Sequence, residues 1–252
     1  MAVLSVIILT KNEEENIAPA VQNARQCADD VLVVDSGSTD ATVELAEKNG
    51  ARVVFRAWDN DFSAQRNFAL TQTNAEWVLY LDADERMDAS FIASVLNLVK
   101  KKAPIQGVMT RKVVAFGHTF RHGIFTPDKV PRLFPAAQVR WENKVHERPV
   151  CDLPETDIGG CVMHYTYQGW HQWVQKINDY TSIWARDSYK KGRRTSALSA
   201  LLHALFGFIK AYVLQLGFLD GWMGLFSSWQ HACYTLLKYV KLLDEQRRNI
   251  HG

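Results

Sequence analysis

Apolar runs and helix-like stretches alternate along the first hundred residues. "VLSVIIL" is followed by "NEEENIAPAVQNARQCA", whose first turn is acidic, as the helix dipole favours. "DVLVVDSG" precedes "STDATVELAEKNG", with a Ser/Thr/Asp start and a closing glycine. "ARVVFRAW", "DFSAQRNFALTQTN", "EWVLYLDADE" and "DASFIASVLNLVKKK" repeat the pattern twice more. Continuous apolar strands alternating with helices predict a mostly parallel sheet covered on both faces. Such sheets bind ligands beyond the carboxyl ends of their strands. The residues expected there are Thr10, Lys11 and Asn12, then Asp35, Ser36 and Gly37, then Asp82, Ala83 and Asp84.

Residues 103–135 read as strands and turns, an extension on the edge of the sheet, and the chain after 168 reads as helical. The expected division is therefore an α/β domain over 1–168, with a nucleotide half (1–100) and an acceptor half (101–168), and a helical extension over 169–252. Lys190, Lys191, Arg193 and Arg194 precede "TSALSALLHALFGFIKAYVLQLGFL". On a helical wheel Ser196, Ser199, His203 and Lys210 share one side, and large apolar residues cover most of the rest. Together with the Trp- and Tyr-rich helix that follows, this predicts an extension lying on an anionic membrane surface. A helical subdomain or dimer interface would bury the same residues. A membrane-crossing helix would carry Lys210 near its middle.

Composition narrows the class. With 252 residues, 47% of them hydrophobic and 22% charged, the chain is globular. A net charge of +2 offers no bulk attraction for nucleic acid. The four scattered cysteines form no CxxC pair and read as reduced thiols of a cytosolic protein. The first apolar run has no basic region before it and leads into acidic residues, so it reads as a strand rather than a signal peptide.

The chemistry concentrates at "VLYLDADE". Alternation along a strand would point Asp82 and Asp84 the same way, and two neighbouring carboxylates repel unless a positive group lies between them. Two oxygen donors at a strand's carboxyl end suit Mg²⁺ or Mn²⁺ bridging a diphosphate. No GxGxxG or GxxxxGK[ST] is present to cradle phosphates otherwise. An aspartyl-nucleophile phosphatase also carries DxD after an apolar strand, but usually on the first one. Asp35 and Asp40, taken singly, also fit turns or caps.

"SVIILTKNEEENI", "VLVVDSGSTDAT", "FSAQRNFAL" and "WVLYLDADE" resemble, in order and spacing, the family 2 glycosyltransferases with a GT-A fold. That resemblance implies a nucleotide-sugar donor, a divalent cation and inversion at the anomeric carbon. It implies that Thr10 and the residues after it, Asn12 among them, lie against base and ribose, with Asp35 on the uracil of a UDP-linked donor. Glu14 would reach a ribose hydroxyl, or simply be solvated as one of three glutamates opening a helix. Arg66 would approach the nucleotide or diphosphate, Asp82 and Ala83 the donor, and Asp84, with Asp82, the metal. The family likeness also implies a histidine completing the metal shell. His164 is the candidate, a hydrogen-bonded core role being the alternative.

"VRWENKVHERPV" supplies the acceptor side, with Trp141 available to stack on a sugar and His146 beside it. Its "VHE" and the later "HY" resemble the bacterial lipopolysaccharide core glycosyltransferases of the inner-core β-1,4-glucosyltransferase type. On that likeness Glu147 is the general base, the transferred hexose is glucose and the acceptor is a lipid-linked saccharide. The alternative for Glu147 is a surface ion pair with Arg148 or Arg140. His118 and His122 could line the acceptor pocket. The expectation is a metal-dependent inverting enzyme, peripheral on the inner face of the cytoplasmic membrane and with a homo-oligomer open. A nucleotidyltransferase shares the sheet and carboxylates but wants a basic glycine-rich loop, where "LTKNEEEN" is acidic. A non-catalytic scaffold of the same fold is the third reading.

Overall fold

The computed structural model describes residues 3–144, 147–167 and 169–248. Strand and helix alternate as β1 (Leu4–Thr10), α1 (Glu14–Ala24), β2 (Asp30–Asp35), α2 (Thr42–Lys48), β3 (Arg52–Phe55), α3 (Phe62–Thr71) and β4 (Trp77–Asp82). A short β5 (Glu85–Met87), α4 (Ala89–Lys101) and the long β6 (Gln106–Ala115) follow. Next come β7 (His118–Thr119), β8 (Asp128–Pro135), β9 (Arg140–Glu142), β10 (Arg148–Val150), β11 (Glu155–Asp157) and β12 (Val162–Tyr167). The chain closes with α5 (Trp170–Lys190), α6 (Ala197–Ile209) and α7 (Gly221–Arg248).

The main sheet runs β3-β2-β1-β4-β8-β6-β12-β5. β3, β2, β1 and β4 are parallel, and β8 joins antiparallel to β4. This is an α/β fold, with a helical extension after it. Ile8, Val33 and Leu79 point to one buried face, and Ile7, Val34 and Tyr80 to the other, which is why these strands read as unbroken apolar runs. Local capping agrees with the expected helix starts. Asp61 accepts from the Ala64 N–H at 2.9 Å, and Asp88 from the Phe91 N–H at 2.7 Å.

Two compact units emerge. One comprises the chain up to Arg111 with Asp128–His164; the other comprises Lys112–Pro127 with the chain from Tyr165 onward. The second unit thus takes in a segment from the middle of the chain as well as the helical tail. Within it Phe120 and Met223 form a small core with Phe116, Phe125 and Tyr167 around them. Asp220 holds that segment by accepting from the backbone N–H groups of Arg121 and His122 at 3.0 and 2.8 Å. His118 lies edge-on to Phe120 and His122 pairs with Asp220, so both histidines have local roles in this unit.

The helical tail differs from the wheel in one respect. The buried face of α6 is a stripe of small residues, Ala200, Ala204 and Gly207, which packs α6 on α7. Leu198, Leu201, Leu202, Leu205 and Phe206 are all exposed. Small side chains let two helices approach closely, and the large ones are left outside. Ala197–Leu214 is long and apolar enough to cross a membrane by length and composition, with mean hydropathy 1.7 and 22% of it buried.

Candidate active site

β1, β2 and β4 lie side by side and end on the same edge of the sheet. A cavity of about 680 Å³ opens there, walled by Thr10 and Lys11 after β1, Ser36 after β2, Arg66 on α3, and Asp82, Ala83 and Asp84 after β4. Arg111, Arg132, Glu147 and His164 complete it. The Thr10 hydroxyl is buried without a hydrogen-bond partner on this wall.

The aspartates are arranged differently from the strand expectation. β4 stops at Asp82 and the next two residues make a turn, because the Glu85 carboxylate accepts the Asp82 N–H at 2.9 Å. Alternation therefore does not extend to Asp84. Asp82 faces two guanidinium groups, Arg66 at 3.4 Å and Arg132 at 3.5 Å. Asp84 instead meets His164, Oδ2 to Nε2 at 3.1 Å. Each carboxylate has its own partner, two guanidinium groups for Asp82 and an imidazole for Asp84.

The charges shift accordingly. Burial alone would raise the Asp82 carboxyl, but Arg132, Arg66, Arg111 and His164 around it bring it down to about 2. Glu85 is fully buried, and burial plus the Asp82 charge push its carboxyl up even though Arg111 donates to it at 3.2 Å. Burial disfavours the His164 imidazolium, yet the Asp84 carboxylate more than offsets this and raises its pKa. Arg66 is 3% exposed, and burial with nearby Arg132 lowers its pKa.

Glu147 follows the loop between β9 and β10 and faces the cavity. Its carboxylate accepts from Arg66 Nη2 at 3.4 Å. The surface pairing considered for it goes instead to Glu142, which Arg140 and Arg148 approach at 3.2 and 3.5 Å. α3 holds this hairpin: Asn67 donates to the Trp141 carbonyl at 2.8 Å and accepts from its N–H at 2.9 Å, and Ser63 donates to the Asn143 carbonyl. Trp141 itself is a core residue, 5% exposed among Tyr80, Phe134 and the Arg66 guanidinium 4.7 Å from its ring. A sugar cannot stack on that covered face. His146 lies outside the described residues.

Three candidates are tied into the loops and are not among the residues lining the cavity. Asp35 accepts from the Gly37 and Ser38 N–H groups and from the Ser38 hydroxyl, a turn of its own. Asn12 and Glu14 accept from the Thr39 and Ala41 N–H groups, tying the start of α1 to the loop after β2. Conversely, Arg111, Arg132 and Glu85 were not singled out from sequence. Glu85 closes "DADE", and Arg132 is the lone charge in the apolar "VPRLFP", the signal the sequence carries for it.

The donor set suits a divalent cation in part. Among the described residues no three His, Cys, Asp or Glu side chains cluster at ligand spacing. Asp84 and His164 form a pair on the cavity wall, a carboxylate and an imidazole. Mg²⁺ and Mn²⁺ accept such a short protein set when phosphate oxygens and water fill the remaining positions.

Residues 5–151 match the family model "Glycosyl transferase family 2". The chain is 29% identical over 269 residues to an uncharacterized glycosyltransferase of Rickettsia typhi, covering 99% of this chain and 90% of that protein. It is 26% identical over 256 residues to the lipopolysaccharide core biosynthesis glycosyltransferase LpsC of Rhizobium meliloti, covering 95% and 91%. Among solved structures, glucosyl-3-phosphoglycerate synthase from Mycobacterium tuberculosis in complex with Mg²⁺ and UDP aligns at 25% identity and a TM-score of 0.36. That alignment spans 45% of this chain and 44% of the other.

Proposed function

The chain belongs to glycosyl transferase family 2 and is a glycosyltransferase; on that premise we propose an inverting hexosyltransferase that moves glucose from a UDP-linked donor to a lipid-linked saccharide of the lipopolysaccharide core. The convergence of Asp82, Asp84, His164, Arg66 and Glu147 on one cavity at the sheet's carboxyl edge carries this reading. The likeness to LpsC supports the acceptor class.

In this reading the nucleoside lies against Thr10 and Ser36, and the Thr10 hydroxyl gains the partner it lacks. Lys11, Arg66, Arg111 and Arg132 face the diphosphate. Asp84 and His164 are the residues that would hold a divalent cation, whose chemistry when bound is to neutralise charge on the departing diphosphate. Glu147 takes the proton from an acceptor hydroxyl as that oxygen bonds to the anomeric carbon. The bond from that carbon to the diphosphate oxygen breaks in the same displacement, inverting the configuration. Arg66 orients the Glu147 carboxylate throughout.

The exposed apolar residues of α6, with Trp222 and Trp229 of α7 and the basic residues before α6, support work at an anionic membrane face, the cytoplasmic one for a nucleotide-sugar donor. The test of the function is a panel of nucleotide sugars with Mn²⁺ or Mg²⁺, followed by donor binding and slow hydrolysis. Binding and hydrolysis of UDP-glucose are expected; a protein that binds no nucleotide sugar would end this reading.

A further inference from the structure

The helical unit holds a cavity of its own, about 200 Å³, that the transfer chemistry does not use. Its walls are mostly aromatic, Phe125, Tyr167, Trp173, Tyr180 and Tyr234, with two isoleucines beside them. Polar groups stand among them. Gln230 Oε1 is buried with no hydrogen-bond partner. The Lys176 ammonium lies 5.3 Å from the centre of the Tyr167 ring. His231 lines the same space, and burial with nearby Lys238 and Lys210 lowers its pKa, leaving a neutral imidazole that donates at one nitrogen and accepts at the other. Burial, then the neighbouring Tyr180, raises the pKa values of both Tyr167 and Tyr234. Tyr167, Tyr180 and Tyr234 thus bring three phenol hydroxyls to one small region.

Flat apolar faces combined with several separate hydroxyl, amide and imidazole groups match one ligand class well. A pyranose ring presents C–H faces to aromatic rings and hydroxyls around its rim that both donate and accept. An alkyl chain would leave the Gln230 carbonyl oxygen unmatched against hydrocarbon. A phosphate would meet that same carbonyl oxygen, with Lys176 as the one lysine among the lining residues. The volume admits one sugar ring and is too small for a nucleotide.

We propose that this cavity is a saccharide-binding site of the helical unit. That a saccharide is the natural ligand fits the glycosyl-transfer reading above; saccharide binding itself rests on the cavity.

Saturation-transfer NMR on the full chain, without nucleotide, tests it with the methyl α-glycosides of glucose, galactose and mannose. At least one glycoside should receive saturation. Gln230→Leu and Tyr234→Phe, checked for an unchanged thermal melt, should each weaken that binding about 2- to 10-fold, the worth of one hydrogen bond. Tyr234→Phe keeps the ring and loses one hydroxyl, so it reports even where Gln230→Leu fails to fold. Absence of any glycoside signal, equal binding by the folded variants, or binding of dodecanol but of no glycoside would each overturn the proposal. UDP titrated into the wild-type protein separates the two readings. Glycoside binding without UDP binding would sink the transferase reading and leave the subsite, and the reverse would sink the subsite alone.

Discussion

Arg66 and Glu147 stand 81 positions apart in the chain and meet at 3.4 Å, guanidinium to carboxylate. The same Arg66 nitrogen lies 3.4 Å from Asp82, so one buried side chain ties the α3 helix, the end of β4 and the β9–β10 hairpin together. Its Nε and Nη1 have no hydrogen-bond partner, and its plane rests on Tyr80 and Trp141. Arg66→Gln is expected to destabilise by about 3 kcal/mol, because it leaves the partly buried Glu147 without its cation and Asp82 with Arg132 alone. Urea unfolding measures this. Arg66→Lys should recover only part of the loss, since an ammonium does not stack or fork as a guanidinium does.

Glu147→Gln should keep UDP-glucose binding close to wild type while transfer falls by about 10²- to 10⁴-fold, the usual contribution of a positioned base. Isothermal titration and a transfer assay read the two separately. Near-normal turnover would reassign the base. Arg140→Ala and Arg148→Ala are the controls, since they break exposed pairs with Glu142 and should change stability by less than about 1 kcal/mol.

Chelation with EDTA should abolish transfer, and Mn²⁺ should restore it. The direct readout is Mn²⁺ binding followed by electron paramagnetic resonance in the presence of UDP. There Asp84→Asn and His164→Ala should each weaken binding by at least about tenfold. Unchanged Mn²⁺ affinity in both variants would remove this pair from the metal site.

The helical unit has its own pH dependence through Asp220. Burial would raise this carboxyl, but the Arg121 and His122 N–H groups and the His122 ring hold it below its ordinary value. A depressed folded pKa contributes stability that is present above the unfolded value, near 3.9 in model peptides, and is lost as pH falls through the folded value. Asp220→Asn should therefore lower stability by about 1–2 kcal/mol at neutral pH. It should also flatten the fall below about pH 4, measured by thermal melts across pH.

Replacing Leu201, Leu205, Trp222 and Trp229 by serine should cut flotation with anionic liposomes without unfolding the protein. All four are exposed, Trp222 at 70%. Equal flotation by this variant would show that the apolar face meets something other than lipid.

Much of the architecture was legible in the residues. Unbroken apolar runs such as "VLYLD" and their acidic or capped helices are local signals, and β1 to β4, with α1 to α4, formed where they predicted; the short β5 had no such signal. Asp84, Arg66, Thr10 and Glu147 also fell around one cavity, because a parallel sheet brings strand ends together whatever the loop details. The side-chain partners were not legible. Asp35 is engaged by its own loop because the N–H groups two and three residues on lie within hydrogen-bond reach of its carboxylate. Trp141 was buried because Tyr80, Phe134 and Arg66 arrive from α3, β4 and β8 to cover it.

Sequence alone determined the alternating fold, the edge at which chemistry would gather and the apolar character of the tail, since each depends on periodicity and local chain order. Tertiary structure decided how the charges are shared. Arg132 and Arg66 hold Asp82, His164 holds Asp84, Glu85 turns the chain between them, and Glu147 meets Arg66 rather than its neighbouring arginines. These contacts join residues far apart in the chain, and their strength depends on burial. Only packing sets that burial.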